Sequence, residues 1–501
     1  MPSLRIGVAL AVAASLTAPA LAARGGSPAA DDLRERLGAI FDTSDVNALW
    51  AAKVVSLDTG QVIFERNPRL LVMPASTMKV VTLAVAAERL GWDARFTTRL
   101  ETTGPIEDGV LRGDLIVTGD GDPTIGEGED APHVLDQWAG RLATLGITRV
   151  EGRLIGDDDV LPDQAFGAGW AWDDLAFGFA APVGALQFHE GSAQVVIAAG
   201  PRPGTPATIR LEPASTELVL TGEVTTTGPD TPAAVYTRRR PFSRTLEVTG
   251  TVPRGGRDYV RTVSTDNPTR GLLLAFRETL GRFGIAVSGD VADIDEIAPK
   301  PAGPRRLRLL HESAPLREIG IRLMKVSQNL IAETLRARIG LDSDVPDVDP
   351  LAAAAGACER TLAAWGVPVE DVILADGSGL SRYDYVTANA LVTVLRHMAQ
   401  EPRHAAAFEA TLPILGVDGT LERRLRGSRA EGRVHAKTGS MSNVRALAGY
   451  LRTLAGERLA FAIVANNFKA RGSAIDAVTD RALDALVSSP RSAPPRAQRG
   501  E

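Results

Sequence analysis

The sequence predicts a mixed α/β (α+β) multidomain chain, with small β-rich domains set between a strand-and-helix beginning and a helix-rich second half. Three observations carry this. The 501 residues exceed what a single hydrophobic core organises. From about Phe96 to Asp293 the texture is of short β-rich runs punctuated by glycine, proline and threonine. Beyond the proline-rich joint 299–304, apolar residues recur at helical spacing, and the last ordered part returns to strands. A hydrophobic fraction of 44% and a charged fraction of 23% are those of an ordinary globular protein. The formal net charge of -6 supplies no basic field for displacing counterions from phosphates, which argues against nucleic acid as a partner.

Met1 to Ala22 has a positive start at Arg5, an apolar run from Ile6 to Leu16 and a small-residue site at Ala20-Leu21-Ala22, the pattern of a secretory signal peptide. The run is short for a membrane span, and no later segment reaches about 18 uninterrupted apolar residues. The expectation is an exported protein, periplasmic, secreted or cell-wall associated, with no stable transmembrane segment after cleavage. Gly25 to Ala30 reads as a small-residue linker, and 489–501 as a disordered tail. Cys358 is the single cysteine, so no intrachain disulfide can form and the fold rests on its core.

Two strands, Ala51 to Leu57 and Gln61 to Glu65, flank the turn Asp58-Thr59-Gly60. The stretch from Pro74 to Gly91 follows as a helix that is apolar on nearly every face and therefore surrounded by protein. Helices are expected at His133 to Leu145 and Thr269 to Gly284 within the β-rich part. Further on they are expected at Leu316 to Met324, Asn329 to Ile339, Leu351 to Trp365 and Ala388 to Ala399. Strands Val444 to Leu451 and Leu459 to Ala465, about an Ala455-Gly456 turn, precede a closing helix from Ala474 to Val487.

The buried helix carries Ser76 and Lys79, three positions apart and hence neighbours on one face. Burial strips hydration from an ammonium and lowers its pKa, and the free amine can then take the proton of a nucleophilic serine. Ser327-Gln328-Asn329 stands where one helix ends and the next begins, so that a hydroxyl and an amide can project into a cleft. Lys437-Thr438-Gly439-Ser440 is read as immediately preceding a strand, with Gly439 leaving room for a substrate backbone. Each has a plain structural explanation as a cap or turn. In this order they match the set found in penicillin-binding proteins and class A β-lactamases, with Gln328 where aspartate is commoner. As an acyl-transfer site, Ser76 attacks a carbonyl and Lys79 accepts its proton. Ser327 relays a proton to the leaving amine, Asn329 bonds the substrate amide, Lys437 supplies fixed charge, and Thr438 and Ser440 face a carboxylate. The backbone N–H groups of Ser76 and Ser440 would hold the oxyanion. No cofactor or metal is required, and no histidine pair has H-E-x-x-H spacing.

Far more residues separate Ser76 from Ser327 than one compact domain needs between two motifs of one cleft, so something large is inserted there. The chain resembles the low-molecular-mass class C penicillin-binding proteins, the D-alanyl-D-alanine carboxypeptidase/endopeptidase family of the penicillin-binding protein 4 type. The likeness runs over nearly the whole mature chain. It includes Pro74-Ala-Ser-Thr-Met-Lys79, Gly119-Asp-Gly-Asp-Pro123, Gly169-Trp-Ala-Trp-Asp-Asp-Leu175 with Ala181-Pro182-Val183, Ser327-Gln-Asn-Leu-Ile-Ala-Glu333, Asp376-Gly-Ser-Gly-Leu-Ser-Arg382 and Lys437-Thr-Gly-Ser440. The resemblance implies a β-lactamase/transpeptidase-like domain, an antiparallel sheet flanked by helices, formed from 28–98 and 294–488. It is split by a second domain, 99–187 with 250–293, which itself holds a β-rich third domain at 188–249. It further implies removal of terminal D-Ala from peptidoglycan stem peptides, endopeptidase cleavage of crosslinks, and acylation by β-lactams. Asp174, Phe179 and Arg382 would form a pocket for the amine and carboxylate at the far end of the peptide's side chain, where Asp174 pairs with the amine and Arg382 with the carboxylate. The competing readings are a β-lactamase, for which no extra carboxylate motif argues, and a non-catalytic cell-wall binding protein of the same fold.

Overall fold

A computed structural model describes residues 28–42, 46–126, 133–161, 166–214, 216–241, 243–301, 303–343 and 350–491. The expected signal peptide, 1–22, lies outside the described residues. At the centre is a five-stranded antiparallel sheet, in which Leu49–Ser56 lies between Val62–Arg66 and Arg458–Asn466. Val444–Arg452 and Val434–Met441 continue it to the far edge. Alternation along the strands gives the sheet two buried faces. Ala51, Val55, Ala446, Ala448, Ala460 and Ala462 pack against the helices Met78–Leu90, Leu316–Lys325, Asn329–Leu341, Pro350–Ala364 and Ala388–Gln400. Trp50, Val54, Leu447, Phe461 and Ile463 face Pro28–Asp42 and Gly472–Val487. Five of these six strand residues are alanine, whose small side chains let the helix layer pack close to the strands.

The chain between the helices Met78–Leu90 and Leu316–Lys325 forms a second five-stranded sheet, ordered Val291–Asp293, Leu154–Asp157, Leu115–Gly119, Thr97–Thr103 and Arg305–Glu312. Helices His133–Thr144 and Pro268–Arg282 pack with it around Trp138, Leu272 and Phe276. A further β unit contains Ser192–Ala198, Thr208–Glu212 and Tyr259–Ser264, with Thr245–Pro253 at the middle of an adjoining sheet.

Strand pairing departs from the expected borders at two places. Arg305–Glu312, expected in the returning half of the catalytic domain, pairs with Thr97–Thr103 in the inserted sheet. Tyr259–Ser264, expected in the second domain, pairs with Ser192–Ala198 of the third. At the ends, the expected linker up to Ala30 runs into the first turn of the helix Pro28–Asp42. Ser489 to Arg491, expected in the tail, are ordered, since Arg491 Nε donates to the buried Glu457 at 2.8 Å. Residues 492–501 lie outside the described residues.

Candidate active site

The nucleophile helix opens with one 3-10 turn, Ala75–Thr77, and continues as an α-helix from Met78 to Leu90, where Gly91 ends it at φ +82°. Every residue from Met78 to Ala87 is buried, so the all-round apolar pattern does mark an enclosed helix. Ala75, immediately before Ser76, sits at φ +46°, a left-handed conformation that is costly for a residue with a β-carbon.

Lys79 is fully buried. Its Nζ lies 3.0 Å from Ser76 Oγ, 2.6 Å from Asn329 Oδ1 and 2.7 Å from the Ser378 carbonyl oxygen. An amide oxygen and a peptide oxygen can only accept, so they take N–H groups and leave the third direction of the nitrogen towards the serine. Burial lowers the Lys79 pKa from 10.5 to about 8, while Asp376, Glu333 and Asp384 hold it up. In its neutral form the amine donates twice and keeps a lone pair for the Ser76 hydroxyl.

Ser327 lies between the helices Leu316–Lys325 and Asn329–Leu341 at φ +65°. The cap of the second helix is Gln328, whose side chain accepts from Leu330 N at 2.8 Å. Ser327 is thereby left free of that duty, and its Oγ accepts from Lys437 Nζ at 2.8 Å. Lys437 is fully buried and also donates to the Thr438 carbonyl at 2.9 Å. Burial and then the neighbouring Lys79 push its pKa well down.

Lys437-Thr438-Gly439-Ser440 does not precede a strand but lies within the edge strand Val434–Met441. Thr438 and Ser440 point one way, with Thr438 Oγ1 2.8 Å from Thr420 Oγ1 and Ser440 exposed. Gly439 points the other way. A β-carbon there would come within 2.6 Å of the Pro74 carbonyl oxygen and 3.3 Å of Ala75 Cβ. The glycine thus lets the strand close on the turn that presents Ser76, rather than making room for substrate.

Of the expected side-chain pocket, Asp174 is half-buried and Arg382 and Phe179 are exposed. Burial and then Asp173 raise the Asp174 pKa, with Arg382 opposing them, so Asp174 and Arg382 sense one another's charge. Phe179 stacks on Phe177 at 5.3 Å, and its carbonyl accepts from Asn329 Nδ2 at 2.8 Å. Its backbone joins the inserted segment to the site.

Asp376, Ser378, Asp384 and the second turn of the Asn329 helix had no assigned chemistry in the sequence. Asp376 accepts from Gly379 N and Ser381 N, both at 2.6 Å, and from Trp170 Nε1 at 2.9 Å. Asp384 Oδ1 accepts from Ala375 N at 2.7 Å, and burial raises its pKa well above the usual carboxylate range. The signal available was the loop Asp376-Gly-Ser-Gly itself, an acid followed by backbone that needs its N–H groups filled. Among the described residues, one acidic trio, Asp158, Asp293 and Asp295, brings its oxygens within 4.8 Å of one another, and none of its members is a residue of this site.

The D-Ala-D-Ala carboxypeptidase 3 (S13) family matches the chain over residues 33–486. The chain belongs to this family. A D-alanyl-D-alanine carboxypeptidase of Actinomadura sp. (strain R39) is 34% identical over 463 residues, covering 89% of this chain and 83% of the relative. The D-alanyl-D-alanine carboxypeptidase DacB of Haemophilus influenzae is 29% identical over 420 residues, covering 82% and 84%. The crystal structure of penicillin-binding protein 4 from H. influenzae superposes with a TM-score of 0.78 at 26% identity, over 90% of this chain and 98% of that one. The family's fold, a multidomain β-lactamase/transpeptidase-like structure, is therefore that of this chain, and its members are serine hydrolases. The chain is a D-Ala-D-Ala carboxypeptidase of the penicillin-binding protein 4 type.

Proposed function

We propose that this carboxypeptidase works through an acyl-enzyme on Ser76. The carrying observation is Lys79 Nζ, fully buried, 3.0 Å from Ser76 Oγ and anchored by two oxygens that can only accept. Lys79 takes the Ser76 proton as Oγ bonds to the carbonyl carbon of the penultimate D-Ala. The Ser76 and Ser440 N–H groups hold the oxyanion. As the C–N bond breaks, Ser327 gives its hydroxyl proton to the departing D-Ala amine and is reprotonated by the Lys79 ammonium, which returns Lys79 to the free amine, while Asn329 holds the substrate amide. Lys437, Thr438 and Ser440 receive the terminal carboxylate, whose negative charge favours the ammonium form of Lys437. Water then releases the shortened stem peptide.

The same centre hydrolyses crosslinks whose acceptor amine replaces the terminal D-Ala, and it is acylated by β-lactams. A penicillin-binding protein 4 from H. influenzae is known in complex with a β-lactam, at 25% identity and a TM-score of 0.71. Asp174, Phe179 and Arg382 receive the amine and carboxylate at the far end of the peptide side chain. Access to peptidoglycan requires export, in keeping with the amino-terminal sequence pattern, and no helix among the described residues is long and apolar enough to cross a membrane.

A fluorescent penicillin tests this reading. Durable labelling of the intact chain that Ser76→Ala abolishes, with the circular dichroism unchanged, is the expected result. Labelling retained in Ser76→Ala overturns the role of Ser76. Rapid loss of label from the intact chain points to a β-lactamase, and no labelling to a binding protein.

A further inference from the structure

We propose that Glu333 is a positioning residue for acyl transfer, gripping the Gly377 and Ser378 backbone so that the Ser378 carbonyl takes one Lys79 N–H and turns the amine lone pair onto Ser76. The inference rests on Lys79 being the base. Glu333 lies one turn beyond Asn329 on the same helix and is buried. Its Oε1 accepts from Ser378 N at 2.8 Å and Gly377 N at 3.1 Å, and Oε2 from Gly377 N at 3.0 Å. From the opposite side Thr82 Oγ1 donates to the Gly377 carbonyl at 2.6 Å, and Lys79 to the Ser378 carbonyl at 2.7 Å. The peptide unit joining Gly377 to Ser378 is thus held from both helices, by Glu333 at its N–H and by Thr82 at its carbonyl, and the unit that follows presents its carbonyl to Lys79.

Loop sequence enforces the fit. A β-carbon on Gly377 would meet the Ala332 carbonyl oxygen at 2.7 Å, and one on Gly379 would meet that of Ala75 at 1.9 Å. The loop is clamped between the turn before Ser76 and the helix that bears Glu333, so a shift of the carboxylate shifts the Lys79 acceptor.

Charge acts in the same direction. The groups that bear on Glu333 are Asp376 from the loop, Lys79 from the nucleophile helix and Arg336 from its own helix. Burial and then Asp376 raise its pKa to about 7, against Arg336 and the loop N–H donors. In its ionised form Glu333 stabilises the ammonium that appears on Lys79 when Ser76 gives up its proton.

The experiment measures acylation rate by fluorescent penicillin against pH for the full chain, Glu333→Gln and Glu333→Asp, with folding followed by thermal melting. Glu333→Gln is expected to acylate about 10- to 100-fold more slowly at its plateau. Its acid limb moves to lower pH, because a lost negative neighbour makes Lys79 easier to deprotonate. Glu333→Asp keeps the charge but withdraws it by one methylene, so it loses rate while its limb stays near that of the parent. Parental rate and limb in Glu333→Gln overturn the proposal. If Glu333→Gln does not fold, Glu333→Asp decides, and a parental rate there overturns it. Absence of acylation in the parent chain overturns the reading of Ser76 and Lys79 instead.

Discussion

Lys79 Nζ lies 2.6 Å from Asn329 Oδ1, although the two residues stand 250 positions apart. Asn329 gives its Nδ2 to the Phe179 carbonyl at 2.8 Å. One amide therefore joins the nucleophile helix, the helix that follows the insertions, and the inserted segment itself. Because the amide oxygen can only accept, it also fixes which way the Lys79 lone pair faces.

That geometry predicts the pH profile. With the Lys79 pKa lowered to about 8, the amine is protonated and inert below that value and free above it. Acylation should fall as the pH drops below about 8, the more gently below about 7 where Glu333 loses its charge, and should level off above pH 8. Asn329→Asp places a carboxylate where the amide oxygen was. It stabilises the ammonium, raises the Lys79 pKa and moves the limb to higher pH. Single-turnover acylation measured from pH 6 to 9 checks both, and a flat profile contradicts them.

Arg382 is exposed, and its charge opposes the raised pKa of Asp174. Arg382→Ala should reduce activity on stem peptides bearing meso-diaminopimelate about tenfold. A minimal D-Ala-D-Ala peptide, which never reaches the pocket, should be little affected. Comparison of kcat/KM on the two substrates is the measurement, and equal losses contradict the pocket.

Gly379 has φ +79°, and a β-carbon there would overlap the Ala75 carbonyl oxygen. Gly379→Ala is expected to cost about 3 kcal/mol, from left-handed strain together with overpacking. Urea unfolding reads the loss. Whatever folds should also acylate poorly, since relief of the overlap moves the turn before Ser76.

The helices and the motif residues were legible because each leaves a mark in side-chain type. The run Met78 to Ala87 is apolar all round, and Ser76, Lys79, Ser327, Asn329 and Lys437 sit in short fixed spacings. The Ser378 carbonyl left no mark, since every residue carries one, and Glu333 was legible only as the last letter of a motif. One strand was missed for a different reason. Arg305–Glu312 has a register shift between Leu307 and Leu309, which breaks the alternation expected of a strand, and both Leu307 and Leu310 are exposed. The reading of Gly439 failed because a glycine announces a close approach without saying from which side it comes.

In the central sheet Leu49–Ser56 takes Arg458–Asn466 as its neighbour, so the chain's early strand waits for one made near its end. A ribosome halted before residue 434 would release a polypeptide that has its nucleophile helix but lacks Lys437 and three of the five strands. Its early hairpin would carry an unprotected backbone edge, open to pairing with other chains. Truncated products should therefore be found in aggregates or destroyed by proteases, and the order of synthesis keeps the centre incomplete until the last strands are made.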